Sequence, residues 1–292
     1  MAYRLTARPL ARDVRRLVRK ELDAAIARLA ADEPGDIAVH EARKSIKKVR
    51  AIMKLLRKPL GNRFKRENGR LRDAGRRLGT LRDADVAGET LAGLRSTVLT
   101  KPLERQVSHG LARHRRTVRQ HASALTSQAL GLVRKARKTL TDRISQAAGS
   151  RALQRGLVAT YQKSRSVLAD LTRLSGDSEF HLWRRRVKDH WYHVRLFEAI
   201  DSGSRRRAQS LKRLEADLGD DHNLARLSEL LLERPASFGG AVPTTIAQGC
   251  IHERQHKLRD RALVEGRRLF AAKPKDFADS VARWWLEKKR RR

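Results

Sequence analysis

One spacing of titratable side chains occurs twice in the chain. His40-Glu-Ala-Arg43-Lys44-Ser-Ile-Lys47 returns as His181-Leu-Trp-Arg184-Arg185-Arg186-Val-Lys188, so both copies read H-x-x-R-(K/R)-x-x-K. On a helix, steps of three, four and seven residues fall on one face, so each copy lines up an imidazole, two cations and a further lysine. The stripes run on to Lys54 and Arg195. At 1.5 Å per residue each extends over roughly 21 Å, a length suited to several consecutive phosphates. Like charges along one helix face repel unless an anion lies across them. Two matched basic helices therefore point to a multivalent anion, with arginine forks on its oxygens, lysines as point charges and histidines as hydrogen-bond donors.

Composition agrees. The 292 residues hold 67 Lys and Arg against 32 Asp and Glu, a formal net charge of +35 that favours polyanions: nucleic acid, an anionic membrane surface or a phosphate polymer. The single cysteine, Cys250, forms no intrachain disulfide and suits a reducing compartment. No apolar signal-like run opens the chain, and nowhere do eighteen apolar residues run together, so a cytoplasmic protein without a membrane span is expected.

The elements that must position these residues read as all-α. Ala, Leu, Arg and Lys dominate, aromatics are 4%, and alternating β-branched runs are scarce. Breakers predict helices over 8–31, 37–58, 62–79, 82–97 and 102–147, then over 151–174, 179–200, 204–219, 221–233 and 244–272, with a tail helix at 275–289. Trp284 and Trp285 are expected to pin that tail. Leu78-Gly79 and Leu218-Gly219 each resemble a helix end with a glycine cap, leading into another helix. Order, spacing and apparent cap all repeat. The expectation is one domain, 1–292, of two pseudo-symmetric helical bundles from an internal duplication: a first repeat over 1–147 and a second over 151–292.

Within the motif helices, Val39, Ala42, Ile46, Val49, Met53 and Leu56 cluster opposite the first basic stripe, and Trp183, Val187, Val194 and Phe197 opposite the second. The helix after each motif adds to the expected anion site: Arg63, Arg66, Arg70 and Arg77 in the first half, Arg206 and Arg213 in the second. Elsewhere the readings favour structure over chemistry. His252 and His256 lack completing ligands for a metal site. Asp83 and Asp85 sit beside Arg82, where ion pairing is favoured over catalysis. The sequence carries no phosphate-binding glycine loop, nucleophile elbow or zinc-finger spacing, so no metal, cofactor or catalytic residue is assigned.

These residues resemble the conserved histidine α-helical domain (CHAD) family. The resemblance rests on His40-x-x-Arg43-Lys44-x-x-Lys47, on Leu78-Gly79-Thr-Leu-Arg82-Asp83-Ala-Asp85-Val86, on their second-half counterparts, and on Gly266-Arg-Arg-Leu-Phe-Ala-Ala-Lys-Pro274. It implies two helical bundles whose basic helices line a central groove or pore, binding of inorganic polyphosphate, and association with polyphosphate granules. Carried over by position, the phosphate contacts would be His40, Arg43, Lys44, Lys47 and Lys54, with His181, Arg184, Arg185, Lys188 and Arg195. Asn223 stands where the first half has Asp83, a departure between the halves. The alternating Glu-x-Glu-x-Lys signature of triphosphate-tunnel enzymes, often fused to this family, is not found. Non-catalytic polyphosphate binding is thus the expected function. General nucleic-acid binding is the alternative, ranked second because aromatics do not interleave with the stripes as stacking platforms would.

Overall fold

The computed structural model describes residues 3–5, 9–31, 34–94, 99–198 and 202–290, and within them all side chains except those of 142, 202 and 284–290. The described residues are helical, with no strand among them. In chain order the helices are α1 (Leu10–Leu29), α2 (Asp36–Leu55), the short α3 (Arg57–Leu60), α4 (Asn62–Ala92), α5 (Lys101–Arg119) and α6 (Ala122–Ala147). They continue with α7 (Ser150–Ala169), α8 (Asp177–Leu196), α9 (Ser202–Glu233), α10 (Ala241–Leu269) and α11 (Pro274–Arg290), with one 3₁₀ turn at Pro235–Phe238.

Helix starts follow local chemistry. Before α8, Glu179 Oε2 accepts the Gly176 N–H at 2.8 Å, satisfying a donor that the first turn leaves free. Asp177 and Glu179 place negative charge at the same N-terminus. Gly61 (φ 52°) makes the turn from α3 into α4, a backbone conformation that disfavours a side chain.

Three boundaries depart from the sequence reading. Gly79 and Gly219 do not end helices: α4 and α9 run through them, each as one long helix. Conversely, 102–147 is two helices, with the chain turning at Gln120-His121, where no Pro or Gly announces a break. Both helices pack on α4; the turn lets α5 also reach α10 and the 3₁₀ turn while α6 reaches α1. Tertiary packing overrides local propensity there.

The apolar faces expected of α2 and α8 are buried: Val39, Ala42, Ile46, Val49, Met53 and Leu56 on one, Trp183, Val187, Val194 and Phe197 on the other. They belong to one core that draws on both halves of the chain, and a smaller second core joins the C-terminal ends of α4 and α9 to α5 and α10. Each large side chain so buried contributes roughly 1.5–3 kcal/mol. The side chains of Trp284 and Trp285 lie outside the described residues; in the described part of α11, Phe277 stacks on Tyr161 with ring centroids 4.1 Å apart. No helix among the described residues is long and apolar enough to cross a membrane.

Two junctions set the site. α2 packs against α8, and α4 against α9. At the first, His193 Nε2 hydrogen-bonds the Ala51 carbonyl at 2.7 Å and Lys54 Nζ pairs with Asp189 at 2.6 Å.

Candidate polyanion site

His40 is the fifth residue of α2 and His181 the fifth of α8, in helices of equal length. The two motif copies therefore reach the α2–α8 junction in the same register. Four of their cations converge there. The ammonium of Lys47 is held well below its ordinary pKa, first by burial and then by Lys188, Arg43 and Arg184. Lys188 pairs with Glu215 of α9, and Arg184 lies 4.0 Å from the same carboxylate. Arg43 lies 3.9 Å from Asp83. Lys47 forms no salt bridge among the described residues. Arg43, Arg184 and Lys188 are each exposed by a fifth or less, so four positive charges face two carboxylates in a poorly hydrated space. Like charges at reduced dielectric repel strongly, and the cluster gains most from a ligand that brings negative charge.

Two of these side chains pass over the repeated Leu-Gly segments. Arg43 donates Nη1–H to the Leu78 carbonyl at 3.0 Å, lying across α4 at Gly79, where an added Cβ would stand 3.5 Å from Nη1. Arg184 crosses α9 at Gly219, its Nε 4.0 Å from the corresponding position. The repeated Leu-Gly marks where a motif arginine passes over the next helix.

The histidines lie at the N-terminal end of the cluster. His40 is half exposed beside Glu41, and burial, Arg82 and Lys44 lower its pKa. His181 and His222 hydrogen-bond Nδ1 to Nδ1 at 3.0 Å, and burial, Arg184 and Arg185 lower the pKa of His181. His222 is pushed down to about 3 by burial and by Arg184 and His181. His222 was not among the sequence-predicted site residues, although it stands in the second Leu-Gly segment where the first carries Arg82.

Other expected contacts stand apart from this cluster. Lys44 pairs with Glu41 at 2.7 Å. Lys54 is neutralised by Asp189. Arg195 stacks over Trp191, 4.9 Å from the ring centroid, and lies 5.7 Å from that of Tyr3. The arginine rows after each motif have partners of their own. Arg66 and Arg70 both bind the buried Glu67 at 2.9 Å, Arg77 donates to Gln128 of α6 at 2.8 Å, and Arg63 is exposed. Arg213 donates to Ser210, and Arg206 is exposed. At 100° per residue, Arg70 and Arg77 lie about a third to half a turn from Gly79 and Asp83, and Arg206 and Arg213 nearly half a turn from Glu215 and His222. None of the six joins the cluster. Asp85 proves to be an ion-pair anchor: it accepts Arg115 at 2.9 Å and Arg119 at 2.7 Å, tying α4 to α5.

Further along the same helices opens a cavity of about 1150 Å³. Arg50 and Lys54 of α2 and Arg185 and Arg186 of α8 line it, with further cations from α3, α4 and α7. Ten cationic side chains face Asp189 as the sole carboxylate among its lining residues.

With this geometry in view, comparison with known proteins gives a family. The CHAD domain profile matches residues 6–232. The chain belongs to the CHAD domain family. A crystal structure of the CHAD domain from the plant Ricinus communis shares the fold, with a TM-score of 0.67 over 94% of this chain and 96% of that one, at 18% sequence identity. No curated protein sequence matches the chain. In this CHAD domain, then, the two histidine motifs lie on α2 and α8, which pack against each other.

Proposed function

We propose that this CHAD chain binds inorganic polyphosphate without catalysis, along the facing basic sides of α2 and α8, and that this binding places it on polyphosphate granules in the cytoplasm. The observation that carries the reading is the convergence of Arg43, Lys47, Arg184 and Lys188, four half-buried cations with two carboxylates between them. The general association of the family with polyphosphate supports it. The matched registers of α2 and α8 support a duplicated unit in which each half presents one stripe to the same polymer.

A linear phosphate polymer suits this arrangement better than a duplex does. It is thin and charged at every repeat, and it needs no stacking platforms, which the cluster lacks. Arg43 and Arg184 offer forked donors to adjacent phosphates, while Lys47 and Lys188 add charge between them. Phosphoryl transfer, by contrast, calls for carboxylates holding Mg²⁺ against the phosphates. Here Glu215 is engaged by Lys188 and Asp83 faces Arg43.

The histidines give this reading a pH signature. In the free chain His40, His181 and His222 are held below the ordinary imidazole value, so they are neutral near pH 7. A bound polyanion favours imidazolium and raises each pKa. Affinity therefore rises as pH falls through the bound-state values and levels off only below the free-state ones, about 3 for His222. Fluorescent long-chain polyphosphate titrated at constant ionic strength should bind on the order of tenfold more tightly at pH 5.5 than at pH 8.5, as a shift of one pKa unit corresponds to ~1.4 kcal/mol. Joint His181→Gln and His222→Gln replacement should flatten that profile. A flat wild-type profile removes the histidines from the contact, and no saturable binding at any pH removes the function.

A further inference from the structure

The cavity beside the cluster is not built for an inorganic ion alone. It is strongly cationic: Arg57, Lys58, Arg151, Arg155, Arg185 and Arg186 line it and form no salt bridge among the described residues. Leu55, Phe64, Val158 and Val281 also line it and supply apolar surface, Val158 the most exposed of the four. The guanidinium of Arg57 lies 5.3 Å from the Phe64 ring centroid, joining the two characters at one edge. Gln154 and Gln162 of α7 also line the space, each with an amide donor and acceptor. The first turn of α7 borders it at Gly149, Arg151 and Ala152, where backbone N–H groups are left free by the helix.

Linear polyphosphate presents oxygens on every side and has no use for an apolar wall. Apolar surface in a pocket is matched by an apolar or flat part of the ligand, with a few polar groups fixing its orientation. We infer that this chamber is a second, separate site for a nucleoside polyphosphate, whose phosphates meet Arg155, Arg185 and Arg186 while its base lies on the Phe64–Val158 wall within reach of the glutamine amides. The site shares α2 and α8 with the polyphosphate cluster but uses other side chains, so it stands whether or not the cluster binds polyphosphate.

The test is calorimetric titration of the full chain with ATP and, separately, with inorganic tripolyphosphate, in metal-free buffer at one ionic strength. A site that reads charge alone prefers the more highly charged inorganic ion. The chamber should instead bind ATP at least about tenfold more tightly, the order expected when a base exchanges water for an apolar wall. Val158→Asp should abolish that preference. Because an acid on this half-buried wall can disturb folding, Lys163→Glu at the exposed rim serves as a second variant and should weaken ATP by about tenfold or more. Long-chain polyphosphate affinity in both variants should stay within about twofold of wild type if the cluster is a separate site. Tripolyphosphate binding as tightly as ATP, or ATP binding untouched in the correctly folded Lys163→Glu chain, would overturn the inference.

Discussion

A chain with Arg43, Lys47, Arg184 and Lys188 all replaced by alanine should lose polyphosphate affinity by about a thousandfold or more, while remaining folded. Charge-assisted hydrogen bonds contribute roughly 1.5–3 kcal/mol each, so even partial loss of four exceeds the ~4 kcal/mol that a thousandfold represents. The salt dependence should change with it. For a single-stranded polyanion each cation contributes roughly 0.7 to the slope of log affinity against log salt, so the quadruple variant should show a slope shallower by about 3. Equal loss from four exposed arginines elsewhere, such as those at 19, 76, 105 and 254, would locate binding in overall charge and sink the cluster. Lys47 gives the same account a second readout without ligand. Its ammonium is buried among Lys188, Arg43 and Arg184 with no carboxylate of its own, so Lys47→Met should stabilise the free chain by ~1 kcal/mol in denaturant unfolding. The sign follows from the depressed folded-state pKa. The cost of Lys47 is full below that value and disappears as pH rises towards the ordinary lysine pKa, so the gain from methionine should shrink in alkaline buffer. Lys47→Met should therefore stabilise the protein and weaken polyphosphate in one substitution.

Two glycine substitutions should move stability in opposite directions. Gly156 of α7 lies against α2 so closely that a Cβ there would stand 2.3 Å from the Leu55 carbonyl oxygen and 2.8 Å from its Cα. Backbone cannot swing aside as a side chain can, so Gly156→Ala should cost about 1–3 kcal/mol, more than the gain in helix propensity returns. The displacement of α7 should also disturb the chamber it borders. At Gly219 the nearest atom is Arg184 Nε at 4.0 Å and the backbone is helical, so Gly219→Ala should stabilise by about 0.5–1 kcal/mol. A left-handed cap at that position would make the same change destabilising, so urea midpoints of the two variants separate the readings. Destabilisation by Gly219→Ala, or a neutral Gly156→Ala, would contradict the packing described.

The two motif helices were legible because their signal is local and periodic. Val39 through Leu56 and Trp183 through Phe197 repeat at helical spacing, and the basic residues opposite them need only that periodicity to be placed on one face. What failed depended on neighbours. Leu-Gly before a polar residue is a sound capping signal, yet at Gly79 and Gly219 the helix runs on and an arginine from another helix passes over each glycine. The row Arg63, Arg66, Arg70 and Arg77 is as periodic as the motif stripe. Periodicity does not say which way a row faces, and the buried Glu67 and the exposed Gln128 bind three of its members. The turn at Gln120-His121 carries no breaker because packing makes it: both helices lie on α4, but α5 continues onto α10 and the 3₁₀ turn and α6 onto α1. The chamber draws its cations from five helices, with Arg50, Arg72, Lys163 and Arg186 far apart in the chain, and no linear pattern gathers them. His222 alone had a usable signal, its alignment with Arg82 in the repeated Leu-Gly segment.

The most direct measurement is a competition. Fluorescent long-chain polyphosphate bound to the full chain is challenged with unlabelled polyphosphate, single-stranded DNA, duplex DNA and RNA at matched phosphate concentration, from low to physiological salt. If the convergent cations of α2 and α8 form a shaped site, polyphosphate stays bound at physiological salt, and only unlabelled polyphosphate displaces it efficiently. If nucleic acids displace it equally and all binding collapses together as salt rises, the chain is a general polyanion binder and the central claim is contradicted.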